Sequence, residues 1–212
     1  MSYFPNSVLS WLMKGFLILL VPFEIWEGNF FAVTIIILII FLSFIPAIVS
    51  HNVKKQLPWT VDFMVTLALT LHTIGFVFGL YHNNNFWWWD NMTHFLGTIT
   101  IGLVAFQLIF SLNFVGKVKM SLPLVGFFIF VTALAIGVLW EIFEWNSDLF
   151  FHTNYQLGPY LTDTMTDLSF DTLGAILISL FGIWYMRQRI LRELDMGKWE
   201  KTKSNHHHNK IN

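Results

Sequence analysis

Asp90 and His94 stand four residues apart, Glu141 and Glu144 three apart, and Asp163, Asp167 and Asp171 recur every four. On a helix those intervals place each set on one face. A further histidine, His72, lies between Thr70 and Thr73 in an otherwise apolar run. Carboxylates with one or two imidazoles ligate hard or borderline divalent cations, so these residues are candidate ligands for Zn, Mn, Fe or Mg. A carboxylate left over beside such an ion could act as a general base, and Glu141 and Glu144 are the candidates for that role. Other chemistries are poorly served. The chain has no cysteine, which excludes disulfides, thiolate metal sites and a cysteine nucleophile. It also lacks a Ser-His-Asp constellation and a phosphate-cradling glycine loop.

A blander account fits the same residues. Asp90, Asp163 and Asp167 fall where helices begin, and acids there interact favourably with the helix dipole. The whole set would then be a hydrated vestibule of protonated or water-bonded carboxyls. Asp62 suits a hydrated capping role, while Glu24 could join the cluster. His82 with Asn83, Asn84 and Asn85 suggests a solvated turn. His206, His207 and His208 lie in a polar tail and are assigned no role. Gly97, Gly102, Gly126, Gly137, Gly174 and Gly182 suggest close contacts between helices.

The elements that must position these groups are transmembrane helices. Of 212 residues, 55% are hydrophobic and 12% charged, against about 25% charged in an ordinary soluble domain. A bilayer core needs roughly 20 apolar residues per helix. Six runs qualify, near 8–26, 30–49, 59–81, 91–112, 122–146 and 168–187. The expected fold is all-α, a polytopic membrane domain over 1–192, followed by a polar, disordered tail over 193–212. The first run lacks the basic start and small-residue cleavage site of a signal peptide, so we expect it to be retained.

All twelve Lys and Arg residues fall on one face of that layout. Lys54 and Lys55 follow span two, Lys117 and Lys119 follow span four, and the rest follow span six, except Lys14, which can snorkel to the same side. The positive-inside rule makes that face cytoplasmic, with both termini inside. Trp59 and Trp184 then mark the inner boundary, and Trp26, Trp87, Trp88, Trp89, Trp140 and Trp145 the outer one, as interface anchors. Nine of the thirteen acids belong to the outer side, where no Lys or Arg exists to pair with them. At about 1.5 Å per residue, His72, His94, Glu141 and Asp171 reach a similar height in the outer part of the bilayer. Ionisable groups at such depth converge inside a bundle and do not face lipid.

The stretches "DNMTHFLGT" (90–98), "WEIFEW" (140–145) and "DTMTDLSFDTLGA" (163–175) together resemble the YjdF-like family of bacterial inner-membrane proteins, a domain of unknown function. More distantly they resemble the VanZ-like membrane proteins. The resemblance implies a bundle in the bacterial cytoplasmic membrane with Asp90, His94, Glu141, Glu144, Asp163, Asp167 and Asp171 at its polar focus. It implies no reaction.

Three functions remain. The first is a metal-dependent enzyme at the outer leaflet, acting on a lipid or cell-envelope substrate. The second is a non-catalytic envelope or accessory protein. The third is a cation- or proton-coupled transporter, which lacks support from an aligned ionisable route through the inner half. With a net charge of −1, nothing suggests nucleic acid as a partner. The bilayer is the expected partner.

Overall fold

The computed structural model describes residues 5–52, 58–114, 116 and 118–208, with side chains from 8–49, 58–113, 116 and 118–192. Lys54, Lys55 and Lys117, together with the basic residues and histidines beyond Arg192, therefore lie outside the described side chains. Six helices follow one another: α1 (Pro5–Trp26), α2 (Phe30–Asn52), α3 (Trp59–Val77), α4 (Trp89–Phe114), α5 (Leu122–Phe151) and α6 (Tyr160–His208). All six are long and apolar enough to cross a membrane, and no strand occurs among the described residues. The protein is an all-helical membrane protein.

Local chemistry moves several expected boundaries. Span three stops at Val77 and not at residue 81, because Gly79 turns left-handed at φ 64° and redirects the chain. Two short 3-10 turns follow, Leu80–His82 and Asn84–Phe86, the second held by Asn83 accepting from the Asn85 N–H. Gly tolerates that φ without steric cost. Helix α5 runs five residues past the expected 146, to a left-handed His152. Helix α6 begins eight residues before the expected 168, where the Pro159 carbonyl accepts from the Thr162 and Asp163 N–H groups. Its backbone also continues to His208, where a structureless tail was expected from residue 193. Glu, Leu, Met and Lys recur in that stretch from Glu193 to Lys203 and favour helix.

Helices α4, α5 and α6 form the tightest group. Phe106, Val125, Ile129, Ile178 and Met186 make its core. Three glycines let the backbones close up: Gly102 meets Ile178, Gly126 meets Ile183, and Gly182 meets Ile129. Without a hydrophobic drive in lipid, such close approach is a main source of helix association. Helices α1 and α2 pack with α3, and α3 joins α4. Outward positions are large and apolar, as at Leu19, Phe41, Leu139 and Leu180.

Lys14 does not snorkel. It is buried between α1 and α3, donating to Asp62 Oδ1 at 2.6 Å. Its ammonium also lies 5.4 Å and 5.3 Å from the rings of Trp11 and Phe44. Asp62 is accordingly an ion-pair partner, not a hydrated cap.

Candidate metal centre

The ends of α4, α5 and α6 away from this ion pair converge on His94. The first turns of α4 supply Asp90 and His94 on one face. The late turns of α5 supply Glu141 and Glu144, and α6 supplies Asp167 and Asp171. His94 Nε2 lies 3.7 Å from Asp90 Oδ1 and 3.6 Å from Glu141 Oε1. On its other edge, Nδ1 lies 3.4 Å from Asp171 Oδ1. Three carboxylates, one from each of three helices, thus surround one imidazole.

Burial makes this arrangement costly. His94, Glu141, Glu144, Asp167 and Asp171 are all buried, with Asp167 and Asp171 at 1% exposure. Neither oxygen of Glu141 makes a hydrogen bond of good geometry, although the Thr164 side chain lies near it, and one oxygen each of Asp167 and Asp171 is also unpartnered. Buried polar atoms are normally satisfied, and an unpaired charge in a low-dielectric interior costs several kcal/mol or forces neutralisation. No Lys or Arg occurs between residues 56 and 116 or between 120 and 186, so the sequence offers no permanent cation nearby.

Two sets of donor atoms lie close enough to share an ion: Asp90 with His94 and Asp167, and His94 with Glu141 and Glu144. Within each set the atoms fall within 4.8 Å of one another. Asp171 stands behind His94. Its Oδ1 accepts from the Thr98 hydroxyl at 2.6 Å, which fixes the carboxylate against the imidazole Nδ1. A carboxylate on Nδ1 sets the tautomer and leaves Nε2 free as a donor atom. Gly137 is what admits Asp171 here, because a Cβ at that position would collide with the Asp171 carboxylate.

Glu144 differs from its neighbour. It lines a cavity of about 1280 Å³, whereas Glu141 does not. Trp140 Nε1 donates to Glu144 Oε1 at 2.9 Å. The Trp140 ring also meets His72 edge-on, with centroids 5.5 Å apart. Trp140 is therefore a wall of the site while keeping the exposure that an interface anchor needs. Trp89 departs from the anchor role, being buried against Gly75 and the ring of Phe86. Trp26, Trp59, Trp87, Trp88, Trp145 and Trp184 remain exposed on the surface, as anchors require.

His72 and Asp163 fall outside both donor sets. His72 Nδ1 is 2.8 Å from the Tyr81 hydroxyl, which donates onward to Thr93 at 3.4 Å, and Thr93 donates to the Asp90 carbonyl at 2.8 Å. Burial pushes the Tyr81 hydroxyl far above its ordinary range, so it stays protonated as a link in this chain. Asp163 Oδ2 accepts from the Leu157 N–H at 2.6 Å. Asp148 does similar work, accepting from the Thr153 hydroxyl and from the Tyr155 and Gln156 N–H groups. These two acids pin the α5–α6 connection. Glu24 is buried on α1 and belongs to neither donor set. His82 bonds Asn154 at the exposed end, as a turn residue.

Residues 8–188 match the model of a family described as "Predicted membrane protein (DUF2238)". The chain belongs to this family. The YjdF-like resemblance is consistent with DUF2238 membership, while the more distant VanZ-like likeness finds no counterpart. No curated protein and no solved structure matches the chain. The family description carries no reaction, so chemistry must be inferred from the nest around His94.

Proposed function

We propose that this DUF2238 protein is a divalent-metal-dependent enzyme of the bacterial cytoplasmic membrane, acting at the outer leaflet on a lipid or cell-envelope substrate. Both termini lie in the cytoplasm, in line with the one-sided distribution of Lys and Arg. His94 Nε2 and Glu141 hold the metal, with Asp90 and Asp167 within reach of the same imidazole. Asp171 and Thr98 orient His94. Glu144, which faces the cavity, is the general base. A bound Zn, Mn, Fe or Mg ion would polarise a phosphoryl or carbonyl oxygen at the substrate head.

The observation that carries this reading is Glu141, whose two buried oxygens lie beside His94 and make no hydrogen bond of good geometry. A vestibule built only to be wet would let water reach those oxygens. A carrier would need polar ligands along the bundle, yet the middle of the cavity is lined by Leu69, Ile101 and Val104.

The test is turnover of envelope lipids by protein reconstituted in vesicles of bacterial total lipid, followed by mass spectrometry. Wild type consumes a phosphate ester in added divalent metal and stops in chelator. Glu144→Gln keeps the metal and loses about 100-fold or more of the rate. An unchanged rate in Glu144→Gln removes the base assignment. No lipid consumed by metal-loaded wild type leaves a non-catalytic envelope protein.

A further inference from the structure

The cavity that Glu144 faces does not end at the nest. From His72, Asp90, His94 and Asp171 it runs along α4 to Gln107, Ser111 and Arg189. Asp90 and Ser111 are separated by about 32 Å of helix at 1.5 Å per residue, which is close to the thickness of a bilayer core. Between those ends the walls are Val65, Leu69, Ile101, Val104, Leu108 and Ile136, with Thr98 and Thr100 whose hydroxyls are spent on Asp171 and the Leu96 carbonyl. Polar atoms therefore sit at the two ends of a hydrocarbon-lined space.

Size decides among occupants. A transmembrane helix 20 residues long and about 10 Å across needs about 2400 Å³, nearly twice the 1280 Å³ present. At about 30 Å³ per water-sized group, the space holds about 40 such groups, enough for the hydrocarbon of one lipid. Water gains nothing from walls without polar partners. Gly97 supports the same view. It was expected at a helix contact, yet a Cβ built there meets nothing within 4 Å, and the residue lines the cavity one turn from His94. A larger side chain would fill space that the glycine leaves open.

We propose that this cavity seats the hydrocarbon chain of a lipid phosphate, with the phosphate at the His94 nest and the chain extending past Val104 and Leu108. The head-group assignment rests on the metal reading above, since carboxylates take a phosphate only through a shared cation. The chain assignment rests on the walls alone.

The probe is hexadecyl phosphate carrying a diazirine near the far end of its chain, photolysed with the full-length, metal-loaded protein. Adducts are expected on Val104 and Leu108, and excess unlabelled hexadecyl phosphate removes them. Gly97→Phe and Leu108→Trp, each with wild-type metal content, cut labelling about tenfold. Should Gly97→Phe misfold, Leu108→Trp decides. Glu141→Gln, which lacks the metal, still labels Val104 but requires more probe, so the chain seat and the metal fail separately. Adducts spread over the outward-facing Leu139 and Leu180, indifferent to competitor, would overturn the proposal. So would adducts concentrated at Gly97 and Ile136, which place the phosphate at the Arg189 end.

Discussion

Two of the places where the molecule buries charge treat it differently. Near the basic end, Lys14 meets Asp62 at 2.6 Å, and the pair is closed off by Trp11 and Phe44. Near the other end, five carboxylates gather around one imidazole, and several of their oxygens have no partner. The first arrangement is complete in itself. A buried ion pair of good geometry joins two helices and leaves nothing for a ligand to satisfy. The second has no Lys or Arg to pair its carboxylates, and on the metal reading a bound cation completes it.

That contrast is most sharply tested at Glu141. Removing its charge in Glu141→Gln is expected to lower metal affinity by at least about 100-fold, more than outer partners of a ligand typically contribute. In metal-free protein the same change relieves like-charge repulsion and raises the melting temperature. Lys14→Met acts in the opposite sense. It leaves Asp62 buried and alone, and thermal unfolding should report a loss of about 3 kcal/mol. Because Asp62 retains some exposure, the loss falls at the low end for a buried pair. Lys14→Met combined with Asp62→Leu recovers most of it. If Glu141→Gln and Lys14→Met destabilise alike, the two regions are not different in kind.

Smaller effects refine the picture. Gly137→Ala pushes against the Asp171 carboxylate, and overpacking of that kind costs about 1–3 kcal/mol. Thr98→Val removes the hydrogen bond that fixes Asp171. Metal titration should show affinity reduced by about 10-fold or more, with stability little changed. Tyr81→Phe breaks the link between His72 and Thr93. Its cost is about 1 kcal/mol in thermal unfolding, with metal affinity intact because neither neighbour belongs to the donor sets.

Much of this was legible before any coordinates. Apolar run lengths located six helices, since lipid demands a nearly uniform hydrocarbon length. The helical intervals of Asp90, His94, Glu141, Glu144, Asp167 and Asp171 brought those residues to one place, because buried acids have few alternatives to meeting inside a bundle. Asp163 follows the same four-residue rhythm, yet it is taken by the Leu157 N–H, a partner in a loop that periodicity does not describe. His72 likewise went to Tyr81, which lies beyond a glycine turn whose direction depends on one backbone angle. Trp140 was hidden by composition, since an aromatic at the headgroup level and an aromatic in a pocket wall look identical in sequence. The cavity was invisible for a related reason. A valine facing lipid and a valine lining a half-open groove satisfy the same hydropathy, and Gly97 looks like any other contact glycine.

The nest's need for a cation is tested most directly by element analysis of the purified protein, wild type beside Glu141→Gln, after growth and purification with divalent metals supplied. The account predicts one bound Zn, Mn, Fe or Mg per chain in wild type and essentially none in the variant. Wild type that emerges empty, or a variant that retains the same metal, would contradict it.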